Sequence, residues 1–169
     1  MNKLIPLILL FFAFNTYSQK EANIWYFGEN AGMDFNSSPP VALTDGLLNT
    51  LEGCSTFSDA NGDLLFYSDG VNVFGKNHTI MTYTDGTLAN NLLGNPSATQ
   101  SGMIIPKPLS TSIYYLFTVT DNRNSDGFNV YTIDMSLNRG NGQLIDEDGD
   151  NVFFDKLQDG SWTEKVAAV

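Results

Sequence analysis

The sequence predicts an all-β protein, and two observations carry that prediction. First, Gly, Asn, Asp, Ser and Thr interrupt the chain every few residues after position 18, so helical periodicity is almost absent. Second, the apolar runs between these interruptions are short and rich in aromatic and β-branched residues, which favour strands.

The first 18 residues are predicted to be a cleavable secretory signal peptide. Lys3 supplies the positive charge of the N-terminal region, and residues 4–14 form an apolar, uncharged run. Thr16 and Ser18 are small residues at positions −3 and −1 relative to a cleavage site after Ser18. The apolar run would rise only about 16 Å as a helix, about half of a bilayer core. We therefore expect an exported protein, secreted or at the cell surface, whose mature part (19–169) has no membrane span.

Charge and cysteine content exclude several classes of partner and of chemistry. The chain has 19 acidic and 8 basic residues and a formal net charge of −11, which disfavours nucleic acid and anionic membranes. Its single cysteine, Cys54, cannot form an intrachain disulfide and is predicted to be a small buried residue. A nucleophilic thiol would need a base, and the only histidine, His78, lies in a polar stretch, so that pairing is not favoured.

The predicted strands share short apolar runs bounded by turn residues. They are 24–27, 33–35, 41–43, 55–57, 64–68, 71–74, 79–82, 102–105, 113–120, 128–135, 143–145, 152–155 and a last strand that begins at 164. Asn61-Gly62 is the strongest hairpin signal, since it lies between two apolar runs. The longest strand, 113–120, is predicted to pair with 128–135.

A repeat suggests how these strands are arranged. The pattern of 54–57 and 64–67 recurs at 102–105 and 113–116, which is a spacing of 49 residues. A unit of about 40–50 residues with about four strands has the size of a β-propeller blade. We therefore predict a partial β-propeller of about three four-stranded antiparallel repeats that do not close into a ring. A β-sandwich with hairpins of similar length is the alternative.

Several segments also carry a family resemblance. They include NIWYFGENAGMDFN at 23–36, LEGCSTFSDANG at 51–62, LLFYSDG at 64–70 and QSGMIIPKP at 100–108. These segments resemble the N-terminal β-propeller-like region of large secreted Bacteroidetes proteins that carry C-terminal sorting domains of the type IX (gliding-associated) secretion system. The resemblance spans residues 22–169, implies surface delivery and marks no known catalytic residue.

The sequence ends inside a predicted strand and holds no sorting domain, so we expect a region truncated at its C-terminus. An open propeller leaves edge strands with unpaired backbone groups. We therefore expect the chain by itself to be marginally stable or prone to aggregation.

Two acidic turns are candidate calcium sites, because alternating carboxylates can direct several oxygens at one hard cation. The first contains Asp59, Asn61 and Asp63, and the second contains Asp146, Asp148 and Asp150. Neither has the Gly and Glu positions of an EF-hand loop, and a solvated hairpin turn is the alternative for both. We prefer the second turn, so Asp146, Asp148 and Asp150 are the candidate metal ligands, and calcium is the one candidate cofactor.

Aromatic residues occur as neighbours on three predicted strands. Neighbouring side chains point to opposite faces, so one of each pair is expected in the core. The other could be exposed and stack on a sugar ring, but core packing is the favoured role for these aromatic residues. The pairs are Trp25/Tyr26, Phe66/Tyr67 and Tyr114/Tyr115.

No combination of residues in the sequence indicates a catalytic centre. We therefore predict a non-enzymatic extracellular or cell-surface interaction module, adhesin-like, that binds a protein or a glycan. A secreted carbohydrate-active enzyme of propeller type is the alternative, and a structural spacer is the third option.

Overall fold

The structure is a computed structural model that describes residues 19–121, 125–150, 152–160 and 164–165. The predicted signal peptide (1–18) and the end of the last predicted strand (166–169) lie outside these residues. The described strands are β1 (Ile24–Phe27), β2 (Ala31–Asp34), β3 (Val41–Leu43), β4 (Ser55–Ser58), β5 (Leu64–Ser68), β6 (Val73–Gly75), β7 (Thr82–Tyr83), β8 (Gly102–Pro106), β9 (Ile113–Val119), β10 (Phe128–Asp134), β11 (Gln143–Ile145) and β12 (Asp155–Gln158). Asn138–Gly140 form a short 3-10 turn.

These strands form three sheets. Sheet 1 has the order β1-β2-β3 and sheet 2 has the order β4-β5-β6. Sheet 3 has the order β7-β11-β10-β9-β8, and β12 also pairs with β10. The described elements are strands and one short 3-10 turn, so the all-β prediction is confirmed. The described sheets also do not close into a ring.

One edge strand of each sheet lies beside an edge strand of a neighbouring sheet. Strand β1 lies beside β4, and β4 lies beside β8. The hydroxyl of Thr56 in β4 joins the first two edges, because it accepts the N–H of Tyr26 (2.9 Å) and donates to the Tyr26 carbonyl (3.3 Å). In this way a side chain satisfies backbone groups that an edge strand would otherwise expose.

Sheet 2 is buried on both faces. On one face, Tyr67 and Phe74 pack against Ile24, Tyr26 and Leu48 of the sheet 1 region. On the other face, Phe66 and Val73 pack against residues of sheet 3 and its connections, which are Met81, Ala89, Leu92, Leu116, Tyr131, Ile133, Met135 and Leu144. The structure therefore has two core layers, with sheet 2 between them.

This double burial changes one sequence-based expectation. Trp25 is exposed and Tyr26 is buried, as the alternation of a strand predicts. Phe66 and Tyr67, in contrast, are both 0% exposed, because each face of β5 has its own core layer. Tyr114 and Tyr115 are both partly buried.

The predicted hairpins are confirmed. Strands β4 and β5 pair antiparallel across the Asn61-Gly62 turn, and β9 pairs along its whole length with β10. The prediction of four strands per repeat is wrong, since sheets 1 and 2 have three strands each and sheet 3 has six. Not every pair is antiparallel either, because β7 runs parallel to β11.

The last described strand lies later than predicted. Strand β12 covers Asp155–Gln158, whereas the sequence indicated 152–155. The apolar residues Phe153 and Phe154 pack against the rings of Tyr83 and Tyr131, at centroid distances of 4.7 and 5.7 Å. These residues contribute to the core by side-chain packing, and the ladder pairs begin only after them.

Among the described residues, no helix combines the length and the apolar character that crossing a bilayer requires.

The layer between sheets 2 and 3 can be tested with Leu116→Ala. Because Leu116 is fully buried, we expect a loss of about 2–5 kcal/mol in the free energy of unfolding. The matched control is Leu51→Ala, since Leu51 is 83% exposed and its truncation should change stability by less than about 0.5 kcal/mol. Urea denaturation followed by circular dichroism measures both, and equal effects would contradict the layer assignment.

Candidate functional site

The second acidic turn brings its three predicted metal residues together. One carboxylate oxygen each from Asp146, Asp148 and Asp150 lies within 4.8 Å of the others. The turn follows β11, but it is not a hairpin, because β11 and β12 both pair antiparallel with β10 and not with each other. It is therefore a loop between two strands that pair with different parts of β10.

Backbone hydrogen bonds organise this loop. Asp146 accepts the N–H of Gly149 (2.8 Å), and Asp150 accepts the N–H of Val152 (2.7 Å). Glu147 lies apart from these carboxylates, since it accepts the Thr132 hydroxyl (3.2 Å) and forms an ion pair with Lys107. That contact anchors the loop to sheet 3.

The electrostatics of the loop are those of crowded acids. The backbone N–H of Asp150 stabilises the Asp148 carboxylate, but the carboxyl groups of Asp146 and Asp150 outweigh it and raise the pKa of Asp148. A divalent cation would relieve this repulsion and accept the three oxygens as ligands. The loop thus has the donor chemistry for calcium, while its backbone hydrogen bonds equally fit a solvated acidic loop.

The first acidic turn is organised differently. The carboxylate of Asp59 accepts the N–H groups of Asn61 (2.8 Å) and Asp63 (3.0 Å). Burial acts to raise the pKa of Asp59, but these backbone hydrogen bonds outweigh it and lower the pKa. The Asp59 side chain therefore holds the β4–β5 hairpin turn.

A second polar cluster surrounds His78, and the sequence did not indicate it. The Tyr26 hydroxyl donates to Asp45 (2.8 Å), whose other oxygen lies 3.4 Å from Nε2 of His78. Nδ1 of His78 lies 3.0 Å from the Tyr67 hydroxyl, which accepts the N–H of Leu47 (3.3 Å). These residues come from four separate parts of the chain, so no local spacing could have revealed them.

The polar groups of the His78 cluster pair with one another. With neutral His78, the Tyr67 hydroxyl donates to Nδ1 and the Nε2 proton faces Asp45, so every polar group has a partner. Tyr67 is fully buried and Tyr26 is nearly so, which keeps a substrate away from both phenols. The hydrogen bond from Tyr26 lowers the pKa of Asp45. The cluster ties the segment after β3 to the layer between sheets 1 and 2.

The thiol of Cys54 lies in a different environment from that of His78. Its thiol lies 3.5 Å from the carbonyl of Tyr26, and burial raises its pKa. Cys54 is partly buried against the core, somewhat more exposed than predicted. A thiol with a raised pKa is a poor nucleophile at neutral pH.

Sheet 1 presents an aromatic outer face. Trp25, Phe27 and Phe35 are 51%, 41% and 40% exposed, and the rings of Trp25 and Phe35 are in contact at a centroid distance of 4.9 Å. The indole N–H of Trp25 donates to the carbonyl of Ala22 (2.8 Å). This bond holds the indole in place. Met33 lies directly opposite Trp25 on β2 and extends the face.

Two clefts follow the neighbouring edges of the sheets. One, of about 260 Å³, lies between β1 and β4 and includes Trp25 and Phe27. The other, of about 380 Å³, lies between β4 and β8 and includes Glu52, Thr99 and Gln100. Both are lined by residues 54–56, and we call these two adjoining clefts together the inner groove.

The chain matches no protein-family model, no curated protein and no solved structure.

The buried tyrosines predict a loss of stability at alkaline pH. Burial raises the pKa of Tyr67 and Tyr83 to about 12, above the ordinary value near 10, so the folded state favours the neutral phenol. Stability should be complete below pH 10 and should fall as the pH rises from about 10 to about 12. Urea midpoints measured across this range test it. Tyr83→Phe should make the decline less steep, and an unchanged slope in that variant would contradict the assignment.

The geometry of the acidic loop predicts that calcium binds at this loop and not at the first acidic turn. We expect calcium titrated into the chain to raise the thermal midpoint, and Asp148→Asn to abolish that rise by removing one ligand charge. Asp59→Asn is the matched control and should leave the calcium response intact. Equal responses in both variants, or no response in the unaltered chain, would leave the loop as a solvated turn.

Proposed function

We propose that this chain is a non-enzymatic, extracellular or cell-surface interaction module, adhesin-like, that binds a protein or a glycan through the aromatic side of sheet 1 and the adjoining inner groove. The exposure of Trp25, Phe27 and Phe35 on one face carries the proposal. Aromatic side chains usually supply core or interface packing, and a cluster of them at the surface of an acidic chain favours a binding surface.

The fold we propose for this module is an open part of a β-propeller. Propeller blades pack face to face around a centre, so one edge strand of each blade lies near an edge strand of the next. The neighbouring edges of β1, β4 and β8 fit that pattern, as does a middle sheet that is buried on both faces. A β-sandwich consists of two facing sheets and would leave each with one outer face.

Export is the second part of the proposal. It is supported by the signal-like segment 1–18 and by the resemblance to secreted Bacteroidetes proteins described above. The acidic composition suits solubility outside the cell and disfavours nucleic acid and anionic membranes as partners.

The environments of His78 and Cys54 support the non-enzymatic hypothesis, because histidine and cysteine side chains often act in catalysis. Both ring nitrogens of His78, the one histidine of the sequence, face Asp45 and Tyr67. The thiol of Cys54 has a raised pKa. These arrangements favour structural roles for both residues.

The proposal predicts binding that depends on Trp25. On arrays of glycans and extracellular proteins, Trp25→Ala should weaken the strongest interaction about tenfold, because the indole would supply stacking area. Leu109→Ala is the control, since this leucine is fully exposed in the β8–β9 turn of sheet 3. Turnover of a bound glycan that is lost on substitution of one carboxylate would instead establish the enzyme alternative.

A further inference from the structure

We infer that the inner groove binds a neutral oligosaccharide, with a sugar ring against Trp25 or Phe27 and its hydroxyls toward β4 and β8. This inference rests on the proposed function and names its class of ligand. It follows from the lining of the groove, from its charge and from the state of the strand edges beside it.

The lining combines aromatic and polar groups in the way a sugar requires. A pyranose ring presents a face of C–H groups and a rim of hydroxyls. Trp25 and Phe27 offer ring surface at one end of the groove, and Thr99 and Gln100 place a hydroxyl and an amide group at the other. The volumes of its two clefts, about 260 and 380 Å³, reach the range of small-molecule sites.

The charge of the groove selects against acidic ligands. Glu52 is the one charged residue among the described residues that line the two clefts, and it is an acid. Sulfated or carboxylated sugars need lysine or arginine side chains for recognition. The groove therefore favours an uncharged glycan.

The strand edges argue against an extended peptide as the ligand. A peptide that adds a strand needs free backbone N–H and C=O groups. Here Thr56 pairs with both backbone groups of Tyr26, and the N–H of Ser58 donates to the carbonyl of Glu21 (2.8 Å). At the start of β4, Gly53 donates to Ala98 (3.1 Å) and accepts the Ser101 hydroxyl (2.5 Å).

The test uses the chain with neutral hexasaccharides of glucose, mannose and N-acetylglucosamine, a heparin hexasaccharide and an array of further neutral and anionic glycans. Isothermal titration should detect at least one neutral glycan. Its affinity should fall about tenfold in Trp25→Ala and less in Trp25→Phe, which retains a ring.

In a Trp162→Phe background, Trp25 is the remaining tryptophan, and its emission should shift when the glycan binds.

The outcomes distinguish this inference from the proposed function. Trp25-dependent binding confined to anionic glycans, or to proteins, would overturn the inference and leave the interaction module standing. Neutral-glycan binding that is unchanged in Trp25→Ala would overturn the assignment to this groove. Absence of any Trp25-dependent binding to glycans or proteins would overturn both.

Discussion

The structure depends on the burial of strand β5 from both sides. Phe66 and Tyr67 are consecutive, so they point in opposite directions, and each is completely removed from solvent. Full burial of such a side chain stabilises the fold by about 1.5–3 kcal/mol relative to exposure. Because these two residues belong to different core layers, sheets 1 and 3 both depend on the position of this one short strand.

Tyr67 adds a polar constraint to that apolar one. Its ring stacks between Tyr26 and Phe74, at centroid distances of 4.7 and 5.1 Å. Its hydroxyl would be costly to bury alone, and it is satisfied by the N–H of Leu47 and by His78. These contacts fix the positions of the inner face of sheet 1, the segment after β3 and the turn after β6 relative to one another. Because Tyr26 is drawn inward, its neighbours Trp25 and Phe27 face outward, so the proposed binding surface follows from the packing of the core.

Much of the strand pattern could be predicted from the sequence, because it depends on neighbours along the chain. Strands β1, β3, β5 and β11 have the predicted bounds, since each is an apolar run with clear interruptions on both sides. Residues 152–154 were misleading because aromatic packing and strand pairing use the same residue types. The parallel contact of β7 with β11 joins residues about 60 positions apart, and no local pattern signals it. The His78 cluster was hidden for the same reason, while Asp146, Asp148 and Asp150 were visible because a single loop holds them.

The two proposed ligand regions differ in how firmly the fold supports them. The acidic loop connects β11 to β12, and its carboxylates are held mainly by backbone N–H groups of the loop itself. The inner groove, in contrast, is lined by one edge strand from each sheet (β1, β4 and β8), and two core layers hold these sheets in place. Side chains on packed strands lose little further freedom when a ligand binds, so more of the contact energy remains for affinity. A site at this position also depends on all three sheets, which gives the burial of β5 a functional consequence. Any change that loosens sheet 2 should therefore separate Trp25 and Phe27 from the polar groups along β4 and β8.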